Sequence, residues 1–337
     1  MKRITKINSD IHFKSWAAVG GYEERRGPLG EKFDFCDMSD KFGQTTWEIA
    51  EAEMGRVALN TALSKSGLSH SDIELLVAGD LQNQCVASST GLSSFGIPFL
   101  GIYGACSTCT ESIMTLSAFM NSSETMQMGG AVTSSHNSAA ERQFRTPIEY
   151  GGQRAPTAQW TSTAAGAFIL CRGRGDVMIT EYMPGRIVDG STSDGANMGG
   201  AMAFAAFDSI YAYFEESGEN PHNIDAIITG DLGRVGSDIL REMLSKELPG
   251  TEALHNDCGL LLYDMKNQDA HSGASGCGTS ASVLACHFLP MLAEGRLRRI
   301  LFLSTGALMS PSSLLQGENI YGIAPLIRLE SGKETNK

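Results

Sequence analysis

The chain has 337 residues, of which 42% are hydrophobic, and its formal net charge is −12. This length suits one large domain or two of about 150 residues each, and the apolar fraction is sufficient for a packed core. Because the basic residues are scattered along an acidic chain, the composition argues against a nucleic-acid-binding surface.

The N-terminus and the cysteines bear on where the protein works. The opening segment, "MKRITKINSDIHFKSWAAVGG", lacks the continuous apolar stretch of a signal peptide. No segment reaches the roughly 18 apolar residues that a membrane helix needs. The eight cysteines are irregularly spaced and mostly lie in apolar surroundings, which is typical of reduced thiols in a cytosolic compartment. We therefore expect any membrane association to be peripheral and to depend on another chain.

The first half of the chain is predicted to alternate strands and helices. The chain start, "IHFKSWAAVGG", has its counterpart later in "DVMITEYMPGRIV". The helix "MGRVALNTALSKSG" precedes the buried strand "IELLVAG", which ends at Gly79-Asp80. A tight turn containing Cys106 leads into the helix "STCTESIMTLSAFM", and the strand-like segment "MGGAVTSSH" follows.

The second half repeats this order. "SGENPHNIDAIITGD" (217–231) aligns with "SGLSHSDIELLVAGD" (66–80) without a gap, with Ser, Gly, Ile, Gly and Asp identical. A helical stretch precedes each copy. A glycine-rich turn that opens an apolar helix follows each one, at Cys106 and in "SGASGCGTSASVLACHFLPML". We therefore expect two similar α/β halves, residues 1–175 and 176–337. An ordinary α/β domain with recurring turn signals is the alternative.

Three motifs resemble those of the thiolase and ketoacyl synthase superfamily. "YGACSTCTESI" is similar to its nucleophile turn, "TSTAAGAFIL" to its small-residue strand entry, and "HSGASGCGTSAS" to its C-terminal His-Gly turn. The resemblance implies a thiolase-like α/β fold, in which two similar halves form a layered αβαβα sandwich. It also implies a homodimer.

Four further segments narrow the resemblance. "FKSWAAVGG", "AGDLQNQ", "EYGGQRAPTAQW" and "NMGGAMAFAAFD" resemble a sporulation-protein family of endospore-forming bacteria within that superfamily. This implies non-catalytic binding of dipicolinic acid, or its calcium chelate, for uptake into the developing spore. It implies partners among other stage V sporulation membrane proteins, at the cytoplasmic face of the spore inner membrane. It implies no cofactor except calcium carried with the ligand, and no metal site.

Cys106 suits two kinds of chemistry. A cysteine at a helix N-terminus faces unpaired backbone N–H groups and the positive end of the helix dipole. Both features favour a thiolate, and both equally attract an anionic ligand. A small buried side chain is the alternative. The spacing in "CSTC" also matches a redox pair, but the apolar surroundings do not favour one, and the ligands of a zinc site are not apparent.

Acyl transfer by a thiolate needs groups that move protons and donors that hold the oxyanion. The resemblance implies that the second half supplies two such groups, either two histidines or a histidine and an asparagine. Gly230 and Asp231 stand where the first is expected, and an aspartate there raises the pKa of a thiol. The second is His271, or Cys277 if the turn is aligned from its helix. The alternative function is therefore an acyltransferase similar to the type III ketoacyl synthases, which uses acyl-CoA or acyl carrier protein and Cys106. A third alternative is a purely structural role as a partner of membrane proteins, in which the inherited pocket is not used.

A receptor for dipicolinate needs donors for two carboxylates and a flat slot for the ring. The segment "EYGGQRAPTAQW" supplies such donors, together with Trp160. The two strand-ending aspartates either face calcium or cap the following turn. The predicted ligand-binding residues are Asp80, Cys106, Gln153, Arg154, Gln159, Asp231, His271 and Cys277. His136, just past a strand end, is a further candidate.

Overall fold

The computed structural model describes residues 2–144 and 154–333. Over these residues the chain forms seventeen strands and eleven α-helices. The strands are β1 (Thr5–Lys6), β2 (Ile11–Gly20), β3 (Phe35–Cys36), β4 (Leu76–Gly79), β5 (Phe99–Gly101), β6 (Met128–Ser135), β7 (Trp160–Thr161), β8 (Ala164–Arg172), β9 (Val177–Met183), β10 (Val188–Asp189), β11 (Ala226–Thr229), β12 (His255–Asp257), β13 (Ala274–Ser275), β14 (Arg299–Leu303), β15 (Gly306–Leu308), β16 (Tyr321–Ile323) and β17 (Leu326–Ser331). The helices are α1 (Tyr22–Arg26), α2 (Trp47–Ser66), α3 (Val86–Leu92), α4 (Thr108–Ser122), α5 (Asn137–Phe144), α6 (Met198–Ser217), α7 (Gly233–Glu247), α8 (Cys258–Leu262), α9 (Cys277–Val283), α10 (Leu289–Ala293) and α11 (Pro311–Leu315).

The main sheet has a mirrored strand order. Its hydrogen-bonded path runs β12-β11-β14-β17-β9-β2-β8-β6-β4-β5. Counted outward from the centre, the first set is β2-β8-β6-β4-β5 and the second is β9-β17-β14-β11-β12. In each set the second strand is antiparallel to both neighbours and the outer three strands are parallel. Only two residue pairs join β2 to β9. This order matches the repeat in the sequence, while the division at residues 175 and 176 stays a prediction.

Alternate residues of each strand face different cores. In β11, Ile228 packs in the core that holds α4 and α9, whereas Ile227 packs with residues of α6 and α7. In β8, Phe168 faces the core with α4 and α9, and Ile169 faces α2. Since side chains alternate across a strand, each set of strands is covered on both faces. The layers are α2, the first set, α4 with α9, the second set, and α6 with α7, which confirms the αβαβα sandwich.

The equivalent long helices α2 and α6 have equivalent ends. The side chain of Thr46 accepts a hydrogen bond from the backbone of α2, and that of Asn197 does so for α6. Both helices end at a glycine in the left-handed region, Gly67 with φ 67° and Gly218 with φ 66°. The repeated Ser-Gly pairs of the sequence are therefore the ends of two matching helices.

The second half carries a small additional sheet. The segment "RRILFLSTGAL" divides into β14, in the main sheet, and β15, which joins β16 and β10 in a separate three-stranded sheet on α6. The strand-like segment "DVMITEYMPGRIV" likewise divides into β9 and β10. Across the described ranges, none of the helices has the length and apolar character needed to cross a membrane.

Candidate functional site

Cys106 lies in the turn between β5 and α4. The preceding Ala105 has φ 53°, in the left-handed region, and Ser107 is the N-cap of α4. The Ser107 hydroxyl donates to the carbonyl oxygen of Gly104 at 2.6 Å, which closes the turn. The Cys106 side chain is buried, and its Sγ lies 3.9 Å from the Oγ of Ser275. The turn therefore points the thiol toward the second half of the chain.

The carboxyl group of Asp231 is buried beside this thiol. Its Oδ2 accepts hydrogen bonds from the backbone N–H of Gly276 at 2.8 Å and from Ser275 Oγ at 3.2 Å. Its Oδ1 accepts one from Thr305 Oγ1 at 2.9 Å. Burial raises the pKa of Asp231 to about 7. Burial, together with the charge of Asp231, raises the pKa of the Cys106 thiol well above its usual range. At neutral pH the thiol is therefore protonated.

Cys277, at the start of α9, completes what we call the inner site, formed by Cys106, Asp231, Ser275 and Cys277. Its fully buried thiol donates to the carbonyl oxygen of Ser134 at 3.0 Å, and it packs in one apolar cluster with Cys106. Within residues 2–144 and 154–333, no imidazole is hydrogen-bonded to Cys106 or Asp231. The inner site therefore places a carboxyl group, and not an imidazole, beside the thiol.

Both ring nitrogens of His271 contact groups outside the inner site. Its Nδ1 lies 2.9 Å from the carbonyl oxygen of Ala155, and its Nε2 lies 2.8 Å from a carboxylate oxygen of Asp269. Arg154 forms an ion pair with the same carboxylate at 3.0 Å and lies over the ring of Trp160, 4.8 Å from its centroid. His271 and Arg154, both predicted ligand residues, therefore meet on Asp269, outside the inner site.

This cluster borders a cavity of about 310 Å³, which we call the outer cavity. Its walls include Glu23, Arg26, Trp160, Tyr263, Gln268 and Asp269. The strand β7, which begins with Trp160, pairs with β13, which ends with Ser275 of the inner site. The wall thus combines two aromatic rings and the Arg26 guanidinium with the carboxylates of Glu23 and Asp269, and the Gln268 amide donates to Glu23.

Gln159 lies between the inner site and the outer cavity. Its side-chain amide donates to the carbonyl oxygens of Asp231 at 2.7 Å and of Ala274 at 2.8 Å. Its Oε1 is buried and has no hydrogen-bond partner among the described residues. The next residue, Trp160, lines the outer cavity. Gln159 thus holds the end of β11 against the wall of the cavity.

Asp80, the counterpart of Asp231, is fully buried and caps its own turn. Its oxygens accept hydrogen bonds from the backbone N–H groups of Gln82 and Ser88, both at 2.8 Å, and from the Ser88 hydroxyl at 2.6 Å. The carboxyl of Glu51 lies nearby, and burial followed by the charge of Asp80 raises the pKa of Glu51. Sequence reasoning missed Glu51, because a glutamate inside a helix carries no local sign of such a neighbour.

Of the other predicted residues, Gln153 lies outside the described residues. His136 is described and is not part of this arrangement. His136 places its Nε2 2.8 Å from the carbonyl oxygen of Asp40 and packs against Trp47. In the described part of the chain, no group of three or more His, Cys, Asp and Glu side chains is arranged to hold a metal ion.

Comparisons with known proteins agree with this fold. A family model described as stage V sporulation protein AD matches residues 1–330. The chain is 41% identical over 314 residues to stage V sporulation protein AD of Bacillus subtilis (strain 168), covering 93% of this chain and 92% of that protein. Among solved structures, the 3-oxoacyl-[acyl-carrier-protein] synthase III of Aquifex aeolicus VF5 is similar, with a TM-score of 0.59 and 12% identity, covering 95% of this chain and all of that one. The acetamide-bound OleA of Xanthomonas campestris has a TM-score of 0.61 and 12% identity, with 97% and 100% coverage. At such identities these structures show a shared thiolase-like fold.

Proposed function

Because the chain belongs to the stage V sporulation protein AD family, we propose that it binds dipicolinic acid, or its calcium chelate, for uptake into the developing spore, without catalysing acyl transfer. The observation that carries this proposal is the pairing of the Cys106 thiol with a carboxyl group, Asp231, rather than with an imidazole. A thiol whose pKa is raised stays protonated at neutral pH, and a protonated thiol is a poor nucleophile. The raised thiol pKa and the carboxyl neighbour therefore support ligand binding rather than acyl transfer.

The outer cavity supports a planar dicarboxylate ligand. We place the pyridine ring against Trp160 and Tyr263, and a carboxylate toward the Arg26 guanidinium. The guanidinium of Arg154, over Trp160, adds positive charge behind the ring. The carboxylates of the cavity wall offer oxygen ligands to calcium carried by the dipicolinate.

The proposal also covers the cellular location of the protein and its protein partners. We propose peripheral association with the cytoplasmic face of the spore inner membrane, through other stage V sporulation membrane proteins. The family membership supports a role in sporulation, and the ligand and the partners are the proposed part.

Calorimetry tests the ligand. Dipicolinate should bind the full chain saturably, and pyridine-3,5-dicarboxylate, which has the same charge but a different geometry, should bind more weakly. Arg26→Gln should weaken dipicolinate binding by roughly tenfold or more, because a charged hydrogen bond is lost. Arg56→Gln is the matched control, since Arg26 and Arg56 each pair with a glutamate three residues earlier on a helix. Absence of saturable heat at millimolar dipicolinate, with the protein folded, would refute the proposal.

Two further measurements separate the alternatives. After incubation with an acyl-CoA, the intact mass should be unchanged, whereas a thioester on Cys106 would favour the acyltransferase. In sporulating cells, Arg26→Gln should lower the dipicolinate content of the spores. Unchanged content would instead favour a structural partner whose cavity is unused.

A further inference from the structure

A second cavity, also about 310 Å³, lies at the other end of the sheet. Lys14, Trp16, Lys65, Arg174 and Asp176 are among the residues that line it. In the pairing of β2 with β8, the beginning of β2 lies beside the end of β8, while the end of β2 lies beside its beginning, next to β7 and the inner site. The second cavity, which we call the basic cavity, is therefore separate from the proposed dipicolinate site.

Two backbone features, a bulge in β2 and the loop after β8, place Lys14 and Arg174 at the wall of this cavity. Phe13 pairs with Leu170 and Ser15 with Ile169, so Lys14 is the additional residue of a bulge in β2. A bulge of this kind redirects a side chain that would otherwise follow the alternation of the strand. The bulge thus turns Lys14 toward the cavity that it lines.

Arg174 lies between two glycines that the loop requires. Gly173 has φ 107°, in the region that favours glycine. A Cβ on Gly175 would lie 2.7 Å from the Cβ of His12, so only glycine permits this close approach to β2. The Gly-Arg-Gly sequence therefore packs the loop tightly on the strand and leaves the Arg174 guanidinium at the cavity.

The wall of the basic cavity carries three cations and one carboxylate, in a chain whose net charge is −12. Lys65 is paired with Asp34 at 2.9 Å. Lys14 and Arg174 form no ion pair and no side-chain hydrogen bond within the described ranges. Positive charge concentrated in a concave site attracts anions.

We propose that the basic cavity binds a phosphate group. A guanidinium donates two parallel hydrogen bonds to phosphate oxygens, and the ammonium groups add charge at short range. The partly buried ring of Trp16 offers an apolar wall to the organic part of the ligand. An anionic phospholipid head group and a soluble phosphate compound both present this chemistry.

The test uses two probes on the full chain. Inorganic pyrophosphate is titrated by calorimetry, and flotation is measured with phosphatidylglycerol vesicles and with phosphatidylcholine vesicles. The cavity variant is Lys14→Gln with Arg174→Gln. The control variant, Lys41→Gln with Arg296→Gln, removes the same charge from cations outside the cavity. The cavity variant should bind the active probe at least tenfold more weakly, while the control should bind like the unmodified protein.

The outcomes separate the two sources of phosphate. Flotation with phosphatidylglycerol that pyrophosphate inhibits, and that the cavity variant loses, identifies a lipid head group. Pyrophosphate binding without flotation identifies a soluble compound. No saturable binding of either probe, or an equal loss in both variants, overturns the proposal. The single variant Arg174→Gln, in an exposed loop, provides the same comparison if the double variant does not fold.

Discussion

Two aspartates at equivalent strand ends meet different surroundings. Asp80 accepts hydrogen bonds from its own turn, through Gln82 and Ser88. Asp231 instead lies against a thiol from the other half of the chain and bonds to the turn that opens α9. One carboxyl group therefore stabilises a turn, while its counterpart keeps a neighbouring thiol protonated.

Replacing Asp231 tests this effect on the thiol. In Asp231→Asn, the pKa of Cys106 should fall because the adjacent negative charge is gone, and alkylation of Cys106 at pH 8 should become roughly tenfold faster. The rate is measured by mass spectrometry of the Cys106 peptide, with partly exposed Cys36 in the same sample as the control. Since the pKa of Asp231 is about 7, the gain should shrink at pH 6, where Asp231 is protonated. An equal gain at both pH values would contradict this explanation.

A separate prediction concerns Glu24 and the pH dependence of the unfolding free energy. It is buried, accepts hydrogen bonds from the backbone of Gly21 and Thr163 and from the hydroxyl of Tyr263, and burial raises its pKa from 4.5 to about 7. The neutral carboxyl favours the folded state, so this contribution is complete below pH 4.5 and is lost as the pH rises through about 7. Such a shift corresponds to roughly 3 kcal/mol.

Glu24→Gln removes the titrating group. The unfolding free energy of the unmodified protein, minus that of the variant, should therefore decrease between pH 4.5 and about 7.5, as measured by urea denaturation. Glu31→Gln, at a nearby exposed glutamate paired with Arg25, is the control for removing a carboxyl group from the surface. A constant difference for Glu24→Gln would show that folding does not raise the pKa of Glu24.

At the scale of the elements, α9 packs without space against the first set of strands. A Cβ on Gly278 would lie 2.1 Å from the carbonyl oxygen of Ala164, whereas a Cβ on Gly55, in α2, would meet nothing closer than 3.9 Å. Gly278→Ala should lower the unfolding free energy by about 1–3 kcal/mol through overpacking. Gly55→Ala should leave it unchanged or raise it by up to about 1 kcal/mol, because alanine favours helix. Urea midpoints measure both, and an unchanged midpoint for Gly278→Ala would refute tight packing.

The order of the strands and helices could be predicted from the sequence because local residue patterns indicate each element. Short, mostly apolar runs mark β4 and β11, and the Ser-Gly pairs mark the ends of α2 and α6. The thiolase-like fold followed from three motifs and is confirmed by the layers and the structural neighbours. The turn at Cys106 was also recognisable, since a small-residue turn before a helical pattern has few other meanings.

The contacts of the candidate site could not be predicted in the same way. Arg154 is 115 residues from Asp269, and nothing near either residue indicates that they meet. The direction of His271 depends on its φ of 48°, which a pattern of residue types does not reveal. Tyr263 and Glu24 become neighbours only when the whole sandwich is assembled.

At the scale of the whole molecule, β5 forms an open edge of the main sheet among the described residues. β5 ends the strand path, its Phe99 is 41% exposed, and Tyr103 just beyond it is 48% exposed. An exposed edge with apolar side chains favours pairing with another chain, and we predict a homodimer in which two β5 strands extend the sheet. The 36.0 kDa chain should then show about twice that mass by light scattering.

A charge on this edge should separate the protomers. Phe99→Lys should give the monomer mass at micromolar concentration, because a lysine on an edge strand opposes pairing. Tyr321→Lys, at a residue with the same 41% exposure on the small additional sheet, should leave the mass unchanged. A monomer in the unmodified protein, or a dimer that Phe99→Lys does not affect, would exclude this interface.

The middle layer has a consequence for the origin of the molecule. One of its helices, α4, comes from the first half and the other, α9, from the second, and each is apolar on the side that the opposite half covers. A single copy of the repeated unit would expose that side to water. An ancestor made of one unit would therefore have had to self-associate before its gene doubled, and fusion would have made a pre-existing pair permanent.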